Sequence, residues 1–442
     1  MIAAVEPALD DVLAELGAPA LVEVLDERQE LLRFGASRIT YQHSDQQLRV
    51  RVLLIRAGRA VWGITGTLDS SAMGSLRARL EDVVTSLPEP VRPARLPAHA
   101  STPRAARTSF ESTSTAIATD RAAAFREALT TLPAGTDLGG SIAHQVTRHT
   151  VASTAQPTRS EERTRALMHL VASRAGQSSY ARALHREWSA IDRQALLQAV
   201  ASALEPLPLR ELATGETYRA VLAPQATITL LATLGQVAFG GQSYLGGASA
   251  FSGRLGRPVL SPLIDLIDDG CDADGLPTTF DCEGAPKQRV ELICQGVLRG
   301  LVHDSESGSA ASLGSTGHAV PPGWRFGAEP LPSHLLLAPG QASDADLIVA
   351  CERGLFIQRV DYVRVVHARE TLVTGSTRDA TLWIEHGRVV ARVPQFRFTL
   401  RLADLFSASS LVALGARRER GETPFMESVV APCALVSAFP VD

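Results

Sequence analysis

Lysine is nearly absent from this chain of 442 residues, arginine is frequent, and no Lys/Arg-rich run occurs. A dedicated nucleic-acid binder displays a basic patch, so the pattern argues against one. Long apolar runs are missing as well. The most apolar stretch, residues 224–239, is too short to span a bilayer and is interrupted by Thr227, Thr229, Thr233 and Gln236. The opening residues carry Glu6, Asp10, Asp11 and Glu15, where a secretory signal would begin basic and then run apolar. These absences lead us to expect a soluble, cytoplasmic protein with no membrane partner. Cysteine is also sparse: five residues, with no C-x-x-C pair, which implies reduced thiols rather than a disulfide framework.

Complete catalytic signatures are missing too. None of the eleven histidines is followed by Glu, so no H-E-x-x-H helix occurs. His144 and His149 lie five apart without a neighbouring Glu and read as ordinary surface or core residues, while His185-Arg186-Glu187 is half a motif with no second His. The G-x-S-x-G elbow fails at Gly241-Gln242-Ser243-Tyr244-Leu245, and no phosphate-cradling or dinucleotide glycine motif follows a strand. Residues 268–275 resemble a calcium loop. With Gly275 at the sixth position, however, the first ligand would be Gly270 and the twelfth Asp281, so the segment reads as a solvated acidic turn. Residues 305–317 are rich in hydroxyls and read as a loop, and Cys433 in its apolar tail reads as a buried, inert thiol.

What is present is the composition of a globular protein, 45% apolar and 20% charged, long enough for two or three domains. Residues 1–88 read as an α+β segment. Leu9, Val12, Leu13 and Leu16 fall at helical spacing. Leu48, Val50, Val52 and Leu54 alternate into a hairpin at Ala57-Gly58, and Leu76, Leu80, Val83, Val84 and Leu87 mark a second helix. Residues 89–104 are a Pro-rich linker. Residues 105–205 read as mostly helical, with Asp120 capping a helix through Phe125, Ala128, Leu129 and Leu132, and a later helix through Leu196, Ala199, Val200, Ala203 and Leu204. Residues 206–442 are rich in short strands, with hairpin turns at Gln295-Gly296 and His386-Gly387 and one apolar helix near 227–239. The expected fold class is α+β: an N-terminal α/β region with hairpin and helices, followed by a strand-rich, largely antiparallel β domain.

The C-terminal half carries a series of ordered motifs. Gly215-Glu216-Thr217-Tyr218-Arg219-Ala220-Val221-Leu222-Ala223-Pro224 comes first, then Ser252-Gly253-Arg254-Leu255-Gly256, Phe280-Asp281-Cys282-Glu283-Gly284, Gln295-Gly296-Val297-Leu298 and Ser315-Thr316-Gly317-His318. Gly354-Leu355-Phe356-Ile357, Thr374-Gly375 and Trp383-Ile384-Glu385-His386-Gly387 follow. In this order they resemble the TldD/TldE (PmbA) metallopeptidase family.

That resemblance implies a heterodimer. One subunit of such a pair carries H-E-x-x-x-H on the helix after the Gly-x-Tyr strand, with a further Cys near its C-terminus, and binds zinc. Here the equivalent positions are Ala232, Thr233 and Val237, and Cys433 lies closer to the end than that ligand would. The resemblance therefore implies the TldE-type subunit, with no catalytic or metal residue of its own, zinc in a TldD-like partner and a peptide or peptide-like substrate. Its polar motifs point to Asp281, Glu283, Gly284, Ser315, Thr316, Gly317 and His318 as residues facing a shared cleft. Two other readings stay open: an independent hydrolase built on Asp281, Glu283 and His318, and an interaction protein linked to DNA gyrase function.

Overall fold

The computed structural model describes every residue except 1, 18, 91, 92, 322–328 and 425, so the part of the linker at residues 91 and 92 lies outside the described residues. The N-terminal half contains α1 (Ile2–Leu16), β1 (Ala20–Gly35), β2 (Arg38–Arg56), β3 (Arg59–Thr65), α2 (Ser70–Ser86), α3 (Glu111–Ser114), α4 (Ala118–Thr131), β4 (Asp137–Ser153), β5 (Gln156–Arg174), β6 (Gln177–His185) and α5 (Arg193–Ser202). Its strands form one antiparallel sheet in the order β3-β2-β1-β4-β5-β6. The long central strands are covered at both ends. α1 and α2 bury Val22, Val24, Val50 and Val52 at one end, and α4 and α5 bury Leu32, Phe34, Ile142 and Met168 at the other.

Residues 105–205 are thus not mostly helical. The two expected helices exist as α4 and α5, but three long strands occupy the space between them. Thr164, Ala166, Met168, Leu170 and Ala172 alternate buried along β5. Their Ala, Met and Leu favour helices in isolation, but pairing with β4 and β6 and a sheet face to cover override that preference. Asp120 does cap α4, but from within its first turn, the N-cap position being Ile117. Asp120 sits three residues inside α4, and its carboxylate accepts a bond from the Ile117 amide at 2.8 Å.

The C-terminal half contains β7 (Thr217–Leu222), α6 (Pro224–Ala238), α7 (Gly241–Leu245), β8 (Leu266–Asp269), β9 (Arg289–Cys294), β10 (Val297–Leu298), α8 (Ser305–Ala310), β11 (His334–Leu337), α9 (Asp344–Cys351), β12 (Arg353–His367), β13 (Leu372–Glu385), β14 (Arg388–Arg392), β15 (Arg397–Arg401), α10 (Leu402–Leu405), β16 (Leu411–Thr423) and β17 (Met426–Pro440). These strands build a second sheet in the order β10-β9-β8-β11-β17-β7-β12-β13-β14, with β15 on β13 and β16 on β17. It is largely antiparallel; β11 with β17 and β7 with β12 are its parallel pairs. The expected α+β class and β-rich second half are both present. Pro224 opens α6 at its first turn, where a missing N–H costs nothing. Leu230, Leu231 and Leu234 then bury the helix in the largest apolar core. Ala57-Gly58, Gln295-Gly296 and His386-Gly387 all adopt positive φ at both residues, as two-residue hairpin turns require.

Candidate functional site

Two adjoining cavities open where the sheets meet. The first, about 640 Å³, has the middle of the N-terminal sheet as one wall. Period-two alternation puts Glu23, Arg51, His149, Arg163 and Arg165 on that face, opposite the face that the helices cover. The opposite wall comes from residues 280–282, Lys287, residues 318–321 and the turn between β16 and β17. The second cavity, about 650 Å³, lies over α6 and β12, and Ala232, Thr233, Gln236 and Val237 line it. Arg182, Leu331 and Glu422 border both cavities.

The positions that resemblance aligns with a metal motif therefore do face a cavity, but they lack donors. Ala232 and Val237 offer no lone pair, and the Thr233 hydroxyl is engaged with the Thr229 carbonyl at 2.8 Å. This donor set does not fit zinc. Among the described residues no group of three or more His, Cys, Asp or Glu side chains is gathered as a metal site needs. Cys433 is buried beside Asp344, and burial followed by that carboxylate pushes its thiol far up, as for an inert cysteine.

Asp281 and His318 line the first cavity; Glu283, Gly284, Ser315, Thr316 and Gly317 do not. The Asp281 carboxylate staples loops together, accepting from the amides of Glu283 at 3.0 Å, Ala285 at 2.9 Å and Ala319 at 2.8 Å. Burial nevertheless outweighs these bonds and raises its pKa. Glu283 turns away, accepting from Ser305 N at 3.0 Å and Ser305 Oγ at 2.5 Å. Burial, with Asp281 nearby, pushes it up to about 8. His318 is fully buried, its Nε2 2.8 Å from Asp268 Oδ1 and its Nδ1 2.9 Å from Thr316 Oγ1. Gly317 and Gly284 have φ of +77°, and a Cβ at either would run into Pro286 O or Gln156 Nε2. Ser315 and Thr316 bind the His303 carbonyl at 3.3 and 3.1 Å. These motif residues hold turns against one another, and the Asp281, Glu283 and His318 side chains share no hydrogen-bond partner among the described residues.

The acidic segment 268–275 is not wholly a solvated turn. Asp268 and Asp269 finish β8 and are buried, and only Asp272 and Asp274 reach toward solvent. Asp268 Oδ2 accepts from Ser333 N at 2.7 Å and His334 N at 2.8 Å. Burial alone would raise its pKa, but the His318 charge and hydrogen bond outweigh that and hold it well below the carboxylate range. His144 and His149 are both buried, and His149 Nε2 lies 3.1 Å from Glu23.

Sequence reasoning missed the cationic side of the first cavity: Arg163, Arg165, Arg182, Arg186 and Lys287. The available signal was the alternation of charge with Thr164 and Ala166 along β5, which a helical reading of that segment concealed.

The model of the PmbA/TldA metallopeptidase C-terminal domain matches residues 214–442. The chain is similar to a metalloprotease TldD homologue of Haemophilus influenzae, 29% identical over 110 residues, which are 25% of this chain and 23% of that protein. It is also similar to a protein of Methanocaldococcus jannaschii, 30% identical over 100 residues, or 22% of this chain and 24% of that one. The matches thus span about a quarter of each of these relatives. The fold resembles that of TldE from Thermococcus kodakarensis, with a TM-score of 0.87 at 15% identity over 98% of this chain and 100% of that one. It also resembles a protein of Thermotoga maritima described as a candidate modulator of a DNA gyrase, with a TM-score of 0.84 at 16% identity over 99% and 100% of the two chains. At these identities the likeness shows the fold.

Proposed function

The chain belongs to the PmbA/TldA metallopeptidase family, which includes TldD and TldE, and on that premise we propose that it is the subunit of a two-chain zinc peptidase that carries no metal of its own. One observation carries the reading. α6 lines a cavity of about 650 Å³ with Ala232, Thr233 and Val237, the places where the family resemblance puts the metal ligands and the base. A cavity kept open above a helix without donors suits a chain that shapes a cleft while a partner supplies the metal. In that partner a TldD-like H-E-x-x-x-H helix would hold zinc, and the metal would supply the Lewis acidity that hydrolysis of a peptide or peptide-like amide needs. This chain's part is to position and enclose the substrate, in the cytoplasm.

The independent-hydrolase reading loses support because Asp281, Glu283 and His318 are each committed to separate structural bonds. The gyrase reading rests on the descriptions of structural neighbours alone.

The test is reconstitution. The purified chain is expected to hold no stoichiometric zinc and to cleave no peptide. Mixed with an H-E-x-x-x-H relative from the same cell, it is expected to give cleavage that chelators abolish. Chelator-resistant cleavage by this chain alone, surviving repurification, would overturn the proposal.

A further inference from the structure

We propose that the first cavity is a carboxylate-binding subsite, in which Lys287 and Arg186 receive an anionic group of a peptide or peptide-like ligand. The peptide nature of the ligand rests on the function proposed above; the call for an anion rests on the cavity itself.

The chain has a single lysine, Lys287, against 42 arginines. A lone ammonium placed at random would be solvated, but Lys287 is only 6% exposed and lines the first cavity. Its Nζ donates to Ser333 Oγ at 2.7 Å, and it forms no ion pair among the described residues. Arg186 is 5% exposed and lines the same cavity. It donates from Nη1 to Thr164 O at 2.9 Å and from Nη2 to Pro277 O at 2.6 Å, both neutral carbonyls. Its Nε is buried with no partner. Burial, with the Arg163 charge beside it, lowers its pKa to about 9, more than the nearby Glu427 and Glu161 offset.

The other cations are mostly satisfied. Arg165 and Arg182 both grip Glu422, and Arg163 lies 3.5 Å from Glu427. Over the described lining residues seven Lys and Arg face five Asp and Glu, although the chain as a whole carries −4. Asp281 and Asp268 act on Lys287, and Glu427 and Glu161 on Arg186, only from beyond direct contact, and buried cations are compensated best by an anion in direct contact. A guanidinium with unused N–H groups and an ammonium lining one cavity can hold a carboxylate through charge-assisted bonds. Such a carboxylate could be the C-terminus of a peptide or an acidic side chain.

Calorimetric titration of the full chain with three N-acetylated penta-alanine peptides tests this. One has a free C-terminus, one a C-terminal amide, and one is the amide with Glu at its centre. The free acid or the Glu peptide is expected to bind on the order of ten-fold more tightly than the plain amide. Whichever does so identifies the source of the carboxylate. Raised salt should shrink that difference, and Lys287→Met and Arg186→Met should each abolish it. Lys287→Met should melt no lower than the parent without ligand, since it removes a buried charge with no ion partner. Equal binding of all three peptides, or binding of none, overturns the subsite on the unmodified chain, whatever the variants do. Selectivity that survives both substitutions overturns it as well. The partner-subunit reading is judged separately, by reconstituted cleavage.

Discussion

Gly317 shows how a family motif can be structural at the level of one residue. Its φ of +77° is strained for any side chain, and a Cβ would strike the Pro286 carbonyl. Gly317→Ala should therefore cost about 2 kcal/mol or more in denaturant unfolding, with no change in ligand selectivity. A loss of stability within 0.5 kcal/mol would show that the loop yields. Glu283 makes a pH-dependent prediction. Its folded pKa, about 8, lies above the ordinary 4.5, so between those values the folded chain holds a proton that the unfolded chain has released. Stability from this group accordingly falls as pH rises from about 4.5 to about 8 and is flat above. Glu283→Gln keeps an acceptor for Ser305 and should remove that slope. Because the side chain is only half-buried, the gain at pH 8 relative to pH 5 should be on the order of 1 kcal/mol. Thermal melts of both proteins across that range decide it, and parallel curves would contradict the assignment.

At the scale of elements, α6 was legible because its apolar run is flanked by Pro224 and by Gly240-Gly241. The hairpins were legible for the same kind of reason: a residue-Gly pair between alternating strands states its own geometry. β4 and β5 were not. In β5 the outward Arg163 and Arg165 line a cavity, and the inward positions are Thr, Ala, Met and Leu, which do not announce a strand without their neighbours. The candidate site was legible only in part. α6 could be placed by motif order, whereas the cationic wall is assembled from β5, β6 and the loop of Lys287, which are far apart in sequence. If α6 shapes a substrate cleft, filling the space above it should matter. Val237 is half-buried and lines the second cavity, so Val237→Trp should fold normally. It should lower cleavage by the reconstituted pair at least about ten-fold, the loss expected when substrate is displaced from its reacting position. Zinc content of the partner should stay unchanged. Full activity in this variant would move the substrate path away from α6.

At the scale of the whole molecule, the second sheet leaves an edge uncovered among the described residues. β12 pairs with β7 over Leu355–Ile357 only, and beyond that point its ladder continues with β13 alone. Tyr362 bulges there with φ 51° and is 63% exposed, and Val366 is 58% exposed. Exposed apolar residues on an unpaired strand edge are a liability unless a partner covers them. The same stretch of β12 lines the second cavity, so a chain seated on it would close the cleft over α6. If that chain is the H-E-x-x-x-H subunit, its interface should be of the obligate kind, on the order of 2,000 Å² or more, and formed mainly after about residue 210. Light scattering on a sizing column measures this directly, with the chain alone and with its partner at tens of micromolar. The mixture should elute as a one-to-one complex. Tyr362→Arg should weaken it by at least about ten-fold while leaving the melting temperature of the isolated chain unchanged, since the side chain touches little of its own fold. A mixture that stays monomeric, or a Tyr362→Arg variant that pairs as tightly as the parent, would remove this edge from the assembly and with it the closed cleft.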